Sequence, residues 1–153
     1  MGAKIKGAGS SQIEIEGVKQ LKDVSYNIMS DRIEAGTFLC IAAMNHSNII
    51  VKNIDEDHII PIIDKLEEAG CELQIEDRQI QIKAPKKLKS VNIKTMPYPG
   101  FPTDMQSIFA TLLTTAKGSS IIVENILKNR KKKTQELIRK IANLNVDVKA
   151  PKN

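Results

Sequence analysis

One proline-rich stretch of the chain joins a stiff loop to an acidic residue at the start of a predicted helix. Three prolines fall within residues 97–102, so this loop has little conformational freedom to lose on folding. Thr103 and Gln106 have the spacing of a capping box, which predicts that Thr103 caps a helix. Asp104 then lies in the first turn, where the helix dipole favours negative charge. It either supports the helix start or acts as a rigidly held base for a substrate hydroxyl.

Arg130 is a second candidate, because it follows a predicted strand at 120–125 and a short turn. Loops after strand ends are where α/β proteins commonly place sites, and an arginine there can bind phosphate or carboxylate through two hydrogen bonds. Residues 117–153 carry a net charge of +7, whereas residues 1–116 carry −2. The basic cluster at 128–133 therefore indicates either an anion-binding surface or a solvated, lysine-rich helix start.

The cysteines and histidines do not have the spacing of a metal site. Cys40 and Cys71 lie 31 residues apart, with no histidine at ligand spacing. We expect both to be buried, reduced thiols. His46 and His58 have no recognisable partner in the sequence. We therefore expect no metal and no other cofactor.

The elements that must position these residues form an internal repeat, which predicts an α/β (α+β) fold. The first unit reads helix–strand–helix–strand–strand, opening with Asp31 as a helix cap. The second repeats this order after Asp104 without the closing strand. The apolar runs starting at Ile49 and Ile121 match at an offset of 72 residues, and the two aspartates at 73. The predicted helices are 31–44, 56–69, 104–116 and 134–142, and the strands are 48–53, 71–75, 79–83, 90–94, 120–125 and 145–149.

The first 29 residues have a different pattern. Two short strands, 3–7 and 12–16, flank a turn rich in glycine and serine, and 24–29 is predicted to be a third strand. These residues are too few to enclose a core. We therefore interpret 1–29 as terminal strands of a partner domain with a crossover, and 30–153 as two repeat units of a second domain, the second unit incomplete.

The composition narrows the classes of function. Hydrophobic residues make up 41% of the 153 residues and charged residues 27%, as in ordinary globular domains. Only five side chains are aromatic, which disfavours a nucleic-acid module built on base stacking. A basic module that binds nucleic acid or another anionic partner stays an alternative. With no secretory signal and no apolar run near the roughly 20 residues that span a bilayer, we expect a cytoplasmic protein without a membrane partner.

Four runs of residues resemble the enolpyruvyl transferases, in particular the branch that acts on UDP-N-acetylglucosamine. They are residues 2–9, 31–38, 96–106 and 124–130. The resemblance implies two similar domains, each an inside-out α/β barrel of three repeated units with helices inside and sheets outside. It also implies transfer of enolpyruvate from phosphoenolpyruvate to the 3-hydroxyl of UDP-N-acetylglucosamine, with release of phosphate. That transfer is the first committed step of peptidoglycan synthesis.

The same resemblance implies roles for four residues. Asp104 matches the aspartate that contacts the sugar hydroxyl and is its proposed base, and Ile126 matches a substrate-contacting position. Arg130 and Arg32 match arginines near the phosphate and carboxylate groups. The family's reactive cysteine has no counterpart in this chain. Lysines at 131–133 replace the residues that usually follow Arg130 in the family. We therefore expect a chain that carries part of the site: inactive alone, complemented by a separate chain, or an inactive remnant.

Overall fold

The computed structural model describes residues 1–127, 129–141 and 146–149. Its helices are α1 (Arg32–Met44), α2 (Ile60–Glu68), α3 (Gln106–Leu113) and α4 (Arg130–Ile141). Its strands are β1 (Lys4–Lys6), β2 (Glu14–Glu16), β3 (Asn48–Lys52), β4 (Glu72–Glu76), β5 (Gln79–Lys83), β6 (Ile93–Lys94), β7 (Ser120–Val123) and β8 (Val146–Lys149). Within these ranges, no helix combines the length and the apolar character needed to cross a lipid bilayer.

The first repeat unit, α1 to β5, has the predicted order of elements. Asp31 caps α1, since its carboxylate accepts hydrogen bonds from the backbone N–H groups of Ile33 and Glu34 at 2.7 and 3.3 Å. The helix predicted for 56–69 is divided into a 3-10 turn and α2. β5 lies between β3 and β4 and is antiparallel to both. At the β4–β5 turn, Asp77 and Arg78 have φ values of 47° and 58°, as in a two-residue hairpin turn.

The second unit, β6 to β8, has the same alternation of helix and strand but a different sheet. β6, β7 and β8 are parallel and adjacent in that order. The strand predicted at 90–94 is reduced to the two residues of β6. α4 begins at Arg130 rather than at Thr134, so residues 130–133 form its first turn. Ala142 and Asn145, at the ends of the last predicted helix and strand, lie outside the described residues.

The buried side chains give the structural register between the two units. In β3, Ile49 and Val51 pack against the core, whereas Ile50 is 52% exposed. After β7, the inward positions continue from the fully buried Ile122 to the fully buried Glu124. Because side chains alternate along a strand, the buried positions match only at an odd offset, and at 73, the offset of Asp31 and Asp104 in the sequence, Glu124 corresponds to Val51. The strand match at 72 is therefore wrong by one residue.

The helices of both units lie between the two sheets. α1 packs on β3 and β5, α3 packs on β7, and α1 and α3 pack against each other. Leu39 of α1 and Phe109 of α3 are fully buried in this layer. Gly36 permits the close packing, since a Cβ atom there would lie 3.0 Å from both the Ile62 Cδ1 atom and the Met105 Cε atom. The protein therefore has an α/β fold with its helices inside.

The N-terminal segment contributes little to this core. β1 and β2 pair antiparallel, with Lys4 and Glu16 in a 2.6 Å ion pair. The strand predicted for 24–29 is wrong: these residues have no regular secondary structure, and Ile28 is 90% exposed. A strand needs a neighbour to pair its backbone groups, and no strand in the described part of the chain pairs with this segment. The assignment of residues 1–29 to a partner domain stays a prediction.

Candidate active site

The proline-rich loop ends in a 3-10 turn formed by Thr103, Asp104 and Met105. The predicted capping box is wrong, because α3 begins at Gln106 and the Thr103 side chain makes no cap hydrogen bond. The Thr103 hydroxyl instead donates to the Glu124 Oε2 atom at 2.9 Å. Met105 is fully buried. The turn is thus held at both ends, while the Asp104 side chain between them is 56% exposed.

Arg130 reaches this turn from the first residue of α4. Its Nη2 atom lies 2.6 Å from Asp104 Oδ1, and its Nη1 atom donates to the Thr103 carbonyl oxygen. A buried hydrogen bond joins α4 to α3 nearby, from the Thr134 hydroxyl to Gln106 Oε1 at 2.8 Å. Ion pairs this exposed contribute only about 0–1 kcal/mol to stability. The pair therefore matters for the geometry of the site more than for the stability of the fold.

Glu124 lies at the centre of the site, although the sequence did not predict a functional role for it. Its side chain is fully buried and accepts four hydrogen bonds. Oε1 accepts from the Thr95 hydroxyl at 2.9 Å and from the backbone N–H groups of Ile126 and Leu127 at 2.7 and 3.0 Å. Oε2 accepts from Thr103. A carboxyl group can be buried here because these donors replace the hydrogen bonds of water.

Ile126 follows this network and is 39% exposed. Beside it lies an open cavity of about 280 Å³, lined by Leu127, Asn129, Arg130 and Lys133. Arg130 therefore borders both the Asp104 carboxylate and a cavity with a second cationic side chain. Lys128, from the predicted basic cluster, lies outside the described residues. An anionic group in this cavity would meet a guanidinium already fixed in place by two acceptors.

Arg32 lies in a different cavity. Its guanidinium carbon is 5.0 Å from the centroid of the Tyr98 ring, a cation–π contact with the proline-rich loop. This cavity has a volume of about 530 Å³ and is lined by Met29, Ser30, Asp31, Arg32, Ile33, His58 and Tyr98. The structure thus brings Asp104, Arg130 and the Ile126 segment together and places Arg32 beside Tyr98 instead. Sequence reasoning did not place His58 or Tyr98 there, because that contact depends on the fold of the loop.

The two cysteines are buried free thiols, as predicted. Burial, with a smaller effect from Cys71, raises the pKa of the Cys40 thiol from 9.0 to about 12. Burial alone raises the pKa of Cys71 to about 11. Because the thiolate is the nucleophilic form, thiols that keep their protons at neutral pH are unreactive. Both are therefore structural residues.

With this geometry in place, comparison with known proteins defines the family. The model of the family described as EPSP synthase (3-phosphoshikimate 1-carboxyvinyltransferase) matches residues 1–150. The chain therefore belongs to this family of enolpyruvyl transferases. Among solved structures, the enolpyruvyl transferase NikO from Streptomyces tendae superposes with a TM-score of 0.72 at 23% identity, over 90% of this chain and 33% of that one. At this identity the match shows the fold alone.

Curated relatives carry a more specific name. UDP-N-acetylglucosamine 1-carboxyvinyltransferase 1 from Caldanaerobacter subterraneus subsp. tengcongensis is 46% identical over 147 residues, which are 96% of this chain and 35% of the relative. The UDP-N-acetylglucosamine 1-carboxyvinyltransferase from Geotalea daltonii is 48% identical over 139 residues, 91% of this chain and 33% of the relative. One from Desulfofundulus thermocisternus is 46% identical and is covered to 61%. The chain thus spans about a third of the first two relatives.

Proposed function

We propose that this chain forms one wall of an active site that transfers enolpyruvate from phosphoenolpyruvate to UDP-N-acetylglucosamine. The observation that carries the proposal is the ion pair of Asp104 and Arg130, 2.6 Å apart at the end of a stiff loop. The relatives' name, UDP-N-acetylglucosamine 1-carboxyvinyltransferase, supports the choice of acceptor. The reaction would be the first committed step of peptidoglycan synthesis, in the cytoplasm, with the remaining wall supplied by another part of the protein or by a separate chain.

Asp104 is the base in this proposal. Its carboxylate takes the proton of the sugar 3-hydroxyl while the hydroxyl oxygen bonds to the carbon of phosphoenolpyruvate that carries the phosphate. A proton from solvent adds to the neighbouring carbon, which becomes a methyl group. Elimination then returns one methyl proton to solvent and releases phosphate, and the double bond is restored. Rigid placement suits this role, because catalysis by a base requires a fixed distance to the hydroxyl.

The two arginines suit the anionic groups of the substrates. Arg130 borders the cavity of about 280 Å³ together with Lys133, so a phosphate group there would meet two cationic side chains. Arg32, held over the Tyr98 ring, borders the larger cavity of about 530 Å³. A phosphate and a carboxylate, or the two ends of a sugar nucleotide, can therefore be bound in two separate cavities. Ile126, the neighbour of Leu127 in the smaller cavity, offers an exposed apolar surface.

The proposal is tested by titrating the ¹⁵N-labelled chain with UDP-N-acetylglucosamine and following amide shifts by NMR. We expect the shifts to centre on Asp104, Ile126 and Arg130. Arg130→Ala should weaken binding by roughly 10- to 100-fold, the range for hydrogen bonds to charged groups. Arg78→Ala is the matched control, since it removes the same charge from an exposed turn outside the site. Titration with UDP alone separates recognition of the sugar from recognition of the phosphates.

Because the ion pair lies on an open surface, we expect binding to be detectable without release of phosphate from phosphoenolpyruvate. Phosphate release at enzyme-like rates would contradict the one-wall model. An absence of shifts at millimolar sugar nucleotide, or shifts confined to residues 1–29, would contradict the assignment of the site. Salt-sensitive binding of an oligonucleotide that requires Lys132 and Lys133 would favour the anion-binding module instead.

A further inference from the structure

We infer that Glu124 is the positioning residue of this site. Its buried carboxyl group fixes both the turn that carries Asp104 and the segment that carries Ile126. The relevance of this arrangement to sugar-nucleotide binding rests on the proposed function. The positioning itself does not depend on the proposed function, and it can be measured on the chain without any ligand.

The internal repeat shows that packing alone does not account for Glu124. At the corresponding strand position, the first unit has Val51, an apolar residue that packs against the core. A carboxyl group in such a place costs several kcal/mol unless donors surround it, whereas a valine needs none. The second unit thus has a residue that stabilises the fold only if neighbouring segments supply hydrogen bonds. Its presence is explained by what those bonds hold in place.

The four donors come from three separate segments of the chain. Thr95 follows β6, Thr103 belongs to the 3-10 turn, and the two backbone N–H groups belong to the segment after β7. Thr103 is the direct neighbour of Asp104, and its carbonyl oxygen accepts a hydrogen bond from Arg130. One carboxyl group therefore fixes the base, the carbonyl that orients the arginine, and the exposed segment beside them.

Two threonines of this network form a pair for testing the inference. Thr95→Val and Thr103→Val each remove one hydroxyl that donates to Glu124 at 2.9 Å, and both substitutions keep the shape of the side chain. The Thr95 hydroxyl also accepts from the backbone N–H of Asn125 at 2.8 Å, so Thr95→Val removes one hydrogen bond more. Only Thr103 adjoins the Asp104–Arg130 pair. The readout is the ¹⁵N–¹H spectrum of the Arg130 guanidinium, whose Nη protons give separate signals when two acceptors hold the group.

We expect separate Arg130 signals in the wild-type chain and in Thr95→Val, and averaged signals in Thr103→Val. Glu124→Gln should fall between the wild type and Thr103→Val, because its carbonyl oxygen will face the three donors at Oε1 while its amide N–H can donate to the Thr103 hydroxyl oxygen, which also accepts hydrogen bonds. Glu136→Gln, at an exposed position on α4, is the control for loss of charge. Urea unfolding establishes that each variant is folded before its spectrum is compared.

The inference is overturned if the wild-type chain shows averaged Arg130 signals, or if the two threonine variants change them equally. If all variants lose the separate Arg130 signals in proportion to their loss of stability, the network only supports the fold. Affinity for UDP-N-acetylglucosamine gives the second readout, and Thr103→Val should lower it by about tenfold, within the effect of a misplacement of roughly 1 Å. Failure of the wild-type chain to bind refutes the proposed function, while the Arg130 spectrum still decides the role of Glu124.

Discussion

Replacing Gly36 by alanine tests whether the helices that carry the site are as closely packed as the structure indicates. The added Cβ atom would lie 3.0 Å from the Ile62 Cδ1 atom, 3.0 Å from Met105 Cε and 3.1 Å from Met105 Sδ. Both neighbours are fully buried, so each side chain can move only within the core. Met105 adjoins Asp104, and any movement of its side chain is passed on to the candidate base.

Two effects of opposite sign determine the result of this substitution. Alanine favours the helical backbone over glycine by about 1 kcal/mol. Overpacking in a well-packed core costs about 1–3 kcal/mol. The packing effect should be the larger, because contacts at this distance are made on two sides at once. We therefore expect the free energy of unfolding to fall by up to about 2 kcal/mol, and the melting temperature by up to roughly 6 °C for a chain of this length.

Urea unfolding followed by far-UV circular dichroism measures this change. If the dependence of the free energy of unfolding on urea concentration has the same slope in both proteins, their folded and unfolded states are comparable. Gly17→Ala is the matched control, since no atom lies within 4 Å of its added Cβ, and it should stay within about 0.5 kcal/mol of the wild type. In a Met105→Ala background, the loss caused by Gly36→Ala should become smaller, because only the contact with Ile62 remains. Stabilisation by Gly36→Ala in the wild-type background would refute the close approach of α1 to the turn.

Two further predictions concern a helix cap and the buried thiols. Asp31→Ala should lower the free energy of unfolding by about 1 kcal/mol, whereas Asp31→Asn should retain most of the cap. The raised pKa values of Cys40 and Cys71 mean that above pH 9 the unfolded chain loses protons that the folded chain keeps. Stability should therefore fall with rising pH between 9 and 11, by up to roughly 1.4 kcal/mol per pH unit for each thiol. Cys40→Ala should make this decline shallower, and an unchanged slope would contradict the burial of that thiol.

The parts of the fold that the sequence predicted correctly rest on interactions between near neighbours. Asp31 caps α1 through backbone groups two and three residues away, and the 76–78 turn pairs strands that are adjacent in sequence. The order of helices and strands follows from their periodicity for the same reason. The segment at 24–29 shows the limit of this reasoning. Its alternating pattern favours a strand, yet the strand does not form without a partner to pair its backbone.

The site was predicted less completely than the fold, because a residue distant in sequence can bind a side chain that local spacing assigns to a helix cap. Thr103 and Gln106 have the spacing of a capping box, but the Thr103 hydroxyl donates to Glu124, 21 residues further along the chain. A signal for Glu124 was present in the strand pattern. It is an acidic residue on the same strand face as the fully buried Ile122, and a charged residue at an inward position requires partners. Two of its partners are backbone N–H groups two and three residues further along the chain, but the other two, Thr95 and Thr103, are set by the tertiary fold.

The arrangement around Asp104 separates a fixed backbone from an accessible side chain. On one side, the Thr103 hydroxyl is bound to a fully buried carboxyl group. On the other, Met105 is fully buried against α1, where Gly36 leaves room for it. The proline-rich loop before them restricts the backbone further. Because each constraint acts on a neighbour of Asp104, its carboxylate stays in contact with solvent and with Arg130. A base must reach a substrate hydroxyl without moving its own backbone, and this division of constraint and exposure meets that requirement.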